Sequence, residues 1–325
     1  MSIPNKLHLQ RVVMEVFGGC NYTCQMCPQT TPEGKTGARG KNWTGRMSLP
    51  EFERYVAECA EYGLNVVNLD GSGEATILPN LPEYISIVKK YNAKAVIFSN
   101  GMRMFGSFME ECVDAGLDFF RFSIVGYDYD TYSKWMNSKH FYRVISNLHE
   151  MKRYVVKKKS DCVVATYHLI LDNNNIDYEV ERYKRIVDSS RAVTEIWKMH
   201  NWSGVYDPEY DRKGNKKTCG RPSSPDLVIR AGGLHGSTGA VHPCCQVLGR
   251  DDEAVLGHGS ENTLKEIWYG DKYTQLREQH KSGNFPDFCK SCDFLIDDPE
   301  VLVYTNHNRT NYKMYGTKFS LEDYR

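Results

Sequence analysis

Three cysteines within eight residues, Cys20, Cys24 and Cys27, stand in the spacing C-x3-C-x2-C. The run before them, Val12-Val13-Met14-Glu15-Val16-Phe17, is largely apolar and reads as a strand. Gly18-Gly19 then places the thiols on a tight loop at that strand's C-terminal end. Three thiolates on one short loop can hold three corners of an iron–sulfur cube and leave the fourth iron open. The bland alternative is a zinc knuckle or three core thiols. Structural zinc takes four ligands, usually as paired C-x2–4-C units, and the next histidine downstream is His140.

The elements that must position this loop follow from periodicity. Over the first 200 or so residues strand and helix patterns alternate. Ser48-Leu49-Pro50-Glu51 has the form of a capping box, opening a helix with apolar residues at Phe52, Tyr55, Val56, Cys59 and Ala60 and a stop at Gly63. Strands are predicted at 65–70, 94–98, 118–124, 162–171 and 193–199. Helices are predicted near 81–91, 105–115, 129–136, 141–156 and 177–188. Six βα-type units with short connections imply right-handed crossovers on a parallel sheet, but periodicity alone does not separate a doubly wound sheet from a barrel. In folds of this kind function collects at the C-terminal ends of the strands. The second such loop is Asp70-Gly71-Ser72-Gly73-Glu74-Ala75, whose glycines permit close backbone approach and whose Glu can accept from an ammonium group.

The cysteine loop resembles the cluster-binding motif of the radical S-adenosylmethionine (SAM) enzymes. In that family the open iron takes the amino and carboxylate groups of SAM, and an electron from the cluster cleaves SAM to a hydrogen-abstracting 5′-deoxyadenosyl radical. The resemblance selects a partial (β/α)6 TIM-like barrel and extends to later loops. Gly73-Glu74 resembles the family's Gly-Gly-Glu, which holds the amino group of SAM, with Ser72 in place of the first glycine. Ser99-Asn100-Gly101 resembles its Thr-Asn-Gly, and Ser123-Ile124-Val125-Gly126 its Ser-Ile-Asp-Gly. The resemblance implies contacts from Ser123 to the ribose or the methionine carboxylate, with Asn100 assisting. The run Asp172-Asn173-Asn174-Asn175 matches a stretch that meets the ribose, with Asn175 the candidate. Met26 stands where the family commonly has an aromatic residue beside the adenine, and Tyr22 can share that work. After the sixth strand, His200-Asn201-Trp202 is placed to face the substrate, which makes His200 the candidate catalytic base, with an unassigned tyrosine as the alternative.

A polar run from Tyr206 to Lys217 predicts a boundary, dividing the chain into a barrel (1–205), an auxiliary-cluster domain (206–296) and a tail packing on the body (297–325). Cys219-Gly220-Arg221-Pro222, Pro243-Cys244-Cys245 and Cys289-Lys290-Ser291-Cys292 resemble the SPASM/Twitch extension of the same enzymes. Cys292 is the last cysteine, so the shorter, one-cluster Twitch form fits. The resemblance implies that Cys219, Cys244, Cys289 and Cys292 ligate all four irons of an auxiliary 4Fe–4S cluster, against a four-cysteine zinc alternative. Cys59, Cys112 and Cys162 read as core residues.

The remaining numbers bound function. Of 325 residues, 41% are hydrophobic, and Lys+Arg and Asp+Glu are both 41, which argues against a dominant attraction to nucleic acid or membrane. No secretory h-region and no run of about 18 apolar residues occurs. Eleven cysteines without such a signal fit metal ligands and buried thiols in a reducing cytoplasm. The expected activity is SAM cleavage followed by two-electron oxidation of a small molecule, with a flavodoxin- or ferredoxin-type electron donor. The small-molecule expectation rests on the chain starting at the barrel, with no separate leader-peptide domain. The rivals are modification or epimerisation of a peptide or protein side chain, and a non-catalytic iron–sulfur electron carrier, which would need no SAM pocket.

Overall fold

The computed structural model describes residues 9–28, 45–206, 215–231, 239–247, 253–295 and 301–307. Strands β1 (Arg11–Met14), β2 (Val66–Asn68), β3 (Lys94–Ser99), β4 (Leu117–Ser123), β5 (Val163–Leu169) and β6 (Val193–Trp197) pair in parallel in chain order. Helices α1 (Leu49–Ala60), α2 (Leu81–Lys90), α3 (Gly106–Asp114), α4 (Tyr129–Trp135), α5 (Phe141–Lys158) and α6 (Ile176–Val187) make the crossovers, two of them between β4 and β5. This is the expected α/β architecture. In α1 the 3.6-residue period buries Phe52, Tyr55, Val56 and Cys59, and Ser48 Oγ accepts from Glu51 N at 3.3 Å.

The sheet does not close on itself. β1 is flanked on its other side by β7 (Asp226–Arg230), parallel, followed by antiparallel β8 (Ala240–His242) and β9 (Gly257–His258). β6 is flanked by β10 (Leu302–Thr305), antiparallel. The result is one mixed sheet of ten strands. Strands from the C-terminal part thus cover both edges of the six-stranded core, where unpaired backbone N–H and C=O groups would otherwise be open. Asn306 fixes the end of β10, accepting from Thr194 N at 2.8 Å and donating to Ala192 O at 3.0 Å. Helices α7 (Leu264–Tyr269), α8 (Asp271–Ser282) and α9 (Asp287–Lys290) complete the C-terminal part. Most of the predicted boundary run (207–214), most of the polar, glycine-containing stretch from Thr31 to Arg46, which the sequence marks as an active-site loop, and the tail beyond 307 with Tyr312, Tyr315, Phe319 and Tyr324 lie outside the described residues.

The inward faces of the strands set the depth of the barrel. Val66, Val96, Phe119 and Ala165 form an apolar plug with Phe98, Val163 and Val193. Because side chains alternate along a strand, Phe119, Arg121 and Ser123 share one face of β4, apolar at the plug and polar toward the mouth. Cys59, Cys112 and Cys162 are buried core thiols, as expected; burial holds the Cys112 thiol up at about 12. Among the described residues no helix is long and apolar enough to cross a membrane.

Candidate active site

The cysteine loop is gripped from two sides. On the barrel side, Glu74 N donates to Gly19 O at 2.8 Å. A Cβ on Gly73 would overlap the Phe17 carbonyl oxygen and the backbone of Gly18 and Gly19, so only glycine permits this approach. On the outer side, the corner between α4 and α5 holds the loop. Trp135 O accepts from Gln25 N (2.8 Å), Asn137 Nδ2 donates to Thr23 Oγ1 (2.7 Å), and Cys24 Sγ lies 3.8 Å from Met136 Sδ. Tyr22 is buried, its hydroxyl 3.1 Å from that of Tyr132 and its ring stacked on His140; burial raises its pKa.

Behind the loop sits a charge pair that sequence reasoning missed. Glu15, fully buried just after β1, meets Arg230 Nε of β7 at 3.2 Å. Its Oε2 also accepts from Ser72, both N and Oγ. The serine that replaces the family's first glycine therefore has a partner. Removing one member of such a buried pair typically costs about 3–5 kcal/mol, so this knot fixes the ends of β1, β2 and β7 together.

Cys20, Cys24 and Cys27 are half-buried and line one cavity of about 360 Å³ with Tyr22, Met26, Gly73, Glu74, Asn100, Ser123 and His200. Glu74 is buried and its pKa is raised by that burial. Its Oε1 accepts from Thr76 N, Thr76 Oγ1 and Ser99 Oγ, and its Oε2 from Asn100 N at 2.8 Å. A carboxylate offers about four lone-pair sites, so Oε2 keeps room for an ammonium donor. The Asn100 side chain is used within the protein, donating to Asn21 Oδ1 (2.8 Å) and accepting from Met102 N (3.0 Å). Asn175 is not brought to the cavity. It is exposed at the start of α6, with Nδ2 donating to Asp172 Oδ2 at 2.6 Å. The turn that carries it is pulled back by Glu179, which accepts from Leu171 N and Asp172 N and bonds the buried His168 Nε2 at 2.7 Å.

The opposite wall is made by Arg221, Cys245, Gln246, Trp202 and Phe294. His200 belongs to the same wall, buried, with its ring 4.2 Å from Trp202 and 5.9 Å from Phe294. The loop that carries it is stitched to the C-terminal cysteines. Asn201 N donates to Asp293 Oδ2 (2.9 Å), Asn201 Nδ2 to Ser291 O (2.6 Å), and Ser203 Oγ to Phe288 O.

Cys219 and Cys289 are buried, and Cys244 and Cys292 half-buried. Burial raises the pKa of Cys219, Cys244 and Cys292; at Cys244 the Arg221 charge opposes this while Cys245 and Cys219 add to it, and at Cys292 the charges of Cys244 and Cys219 add to it. Such thiols become thiolates only against a strong local positive charge, which a metal cluster supplies. Among the described residues no three His, Cys, Asp or Glu converge on a single-ion position. Both donor sets are thiols, the ligands that iron–sulfur clusters take. Cys245 differs from its neighbour. It lines the main cavity, with Arg221 Nη1 at 3.6 Å. Iron counting on single variants should show clear loss for Cys244→Ala and little for Cys245→Ala; the reverse would exchange their roles.

A three-cysteine loop and a Gly-Glu turn at the C-terminal ends of an open parallel α/β sheet, with a second run of cysteines in the C-terminal part, define an iron–sulfur enzyme. The chain belongs to the radical SAM superfamily. The Radical SAM superfamily model matches residues 14–184, and the SPASM iron–sulfur cluster-binding domain matches 236–293. Its cofactors are SAM and 4Fe–4S clusters. Among curated proteins it is similar to the tungsten-containing aldehyde ferredoxin oxidoreductase cofactor-modifying protein of Pyrococcus furiosus (22% identity; 87% of each chain). It is also similar to the S-adenosyl-L-methionine-dependent 2-deoxy-scyllo-inosamine dehydrogenase of Niallia circulans (21%; 87% of this chain, 92% of that one). Among solved structures it resembles BtrN in complex with AdoMet and 2-DOIA (TM-score 0.57, 20% identity, 88% of this chain and 94% of that one). It also resembles Streptococcus suis SuiB bound to precursor peptide SuiA (TM-score 0.66, 12% identity, 89% and 70%).

Proposed function

We propose that the protein oxidises a small molecule by two electrons in the cavity between its two cysteine sets. The observation that carries this reading is that one cavity is lined by Cys20, Cys24 and Cys27 and also by His200, Arg221 and Cys245. When bound, the three-cysteine cluster supplies the electron that cleaves SAM, and a second cluster, on Cys219, Cys244, Cys289 and Cys292, accepts one from the substrate. The chain's own residues position and deprotonate. Gly73 admits the backbone approach and Glu74 Oε2 takes the SAM ammonium. Ser123 binds ribose or carboxylate, while Met26 and Tyr22 pack the adenine. Asn100 acts through Asn21, fixing the cysteine loop. The substrate's O–H or N–H proton goes to His200, which is free of competing assignment. The barrel spans 1–205 and the cluster-bearing extension 206–296, and a flavodoxin- or ferredoxin-type protein delivers the electron in the cytoplasm.

A cavity of about 360 Å³ falls in the range of small-molecule sites, and the dehydrogenase relative acts on a small molecule by its name. The test is anaerobic incubation with SAM, reductant and a panel of sugars, cyclitols and amino-acid derivatives, with and without carboxylate or phosphate groups, alongside peptides. The expected product is two hydrogens lighter, with one SAM consumed per turnover. A product of unchanged mass carrying one solvent deuterium would mean epimerisation, and turnover confined to peptides would mean the other substrate class.

A further inference from the structure

Four arginines line the cavity, and three are engaged. Arg11 pairs with Asp226 at 2.9 Å, Arg230 with Glu15 at 3.2 Å, and Arg221 lies 3.6 Å from Cys245 Sγ. The fourth, Arg121, is different. Its guanidinium is clamped between two rings, 3.6 Å from the centroid of Phe98 and 4.1 Å from that of Tyr167. Its Nε is buried without a hydrogen-bond partner, and among the described residues its side chain makes no hydrogen bond and no ion pair. Asp70 lines the same cavity but is not within ion-pair reach; its Oδ1 accepts from Asn68 Nδ2 and Phe98 N.

Ring stacking covers the two faces of a guanidinium and leaves its edge of N–H donors open. The Asp70 carboxylate feels the charge of Arg121 from beyond ion-pair reach, but a buried guanidinium with no ion-pair contact is costly, and the clamp fixes its plane in advance. A planar, pre-oriented fork is the group that matches a carboxylate or phosphate bidentately. We propose that Arg121 is the seat of an oxyanion, so that the ligand reaching the barrel floor carries a carboxylate or phosphate group. This rests on the reading of the cavity as the substrate site. It narrows the substrate to anionic molecules, with the methionyl carboxylate of SAM as the one other source of the same chemistry.

The test reads binding and is independent of turnover. Anaerobic equilibrium dialysis of the cluster-loaded full-length protein uses three probes: succinate and inorganic phosphate, each with SAM present, and SAM alone. Saturable binding of succinate or phosphate is expected, weakened at least tenfold in Arg121→Gln and only partly restored in Arg121→Lys, with SAM affinity unchanged. Parental circular dichroism and iron content of both variants exclude a folding defect. A tenfold weakening for SAM in Arg121→Gln, absent for decarboxylated SAM, would also bear out the seat and assign it to SAM. Parental affinity of Arg121→Gln for all three probes, or no anion binding by the parent together with unchanged SAM binding, overturns it. Failure of the oxidation reading would show in product mass and leave these affinities unaffected.

Discussion

Gly73→Ala is expected to lower SAM cleavage by about two orders of magnitude, the loss that a misplacement near 1 Å in an active site produces. The added Cβ meets backbone on three sides: Phe17 O, Gly18 C and Gly19 O. None of these is the tip of a flexible side chain, so the strain cannot be absorbed by a rotamer change. Either the turn after β2 or the entry to the cysteine loop must move. Moving the turn breaks the 2.8 Å bond from Glu74 N to Gly19 O and shifts the Glu74 carboxylate from its bonds with Ser99 Oγ and Asn100 N. Moving the loop shifts Cys20. Overpacking of this kind also costs about 1–3 kcal/mol of stability, so a lower melting temperature should accompany the loss. Near-parental cleavage by a folded Gly73→Ala protein would show that the two loops are not coupled as described.

Sequence reasoning found the parts of the site that are contiguous in the chain. The three thiols, the Gly73-Glu74 turn and the alternation of strand and helix are local patterns, and each lies where its period places it. The Glu15–Arg230 pair was not legible, because 215 positions separate its members and nothing local marks either one. β7 and β10 escaped for a related reason: each is defined by the sheet edge it covers. Arg121 was within reach. Inward alternation on β4 puts it on the face of Ser123, and an arginine at an inward strand position is an anomaly worth reading. Asn175 fell the other way, since one of three adjacent asparagines had to be chosen without knowing that Glu179 draws the turn back.

The second large effect concerns the cysteine loop itself. Cys20, Cys24 and Cys27 sit on one half-buried loop, held by Gly19 on one side and by Trp135 and Asn137 on the other. The loop supplies three thiolates and no fourth, so it leaves one iron of a cube open to SAM. Of the C-terminal cysteines only Cys245 lines the same cavity. Replacing all three with Ala should therefore remove the reaction without unfolding the barrel, whose apolar plug and Glu15–Arg230 pair do not involve them. The most direct measurement is 5′-deoxyadenosine formation by anaerobically reconstituted protein with iron, sulfide, SAM and a strong reductant. The parent should form it steadily and the Cys20→Ala/Cys24→Ala/Cys27→Ala variant only at background. Equal formation by the two would contradict the assignment, as would a parent that shows iron–sulfur absorbance but leaves SAM intact.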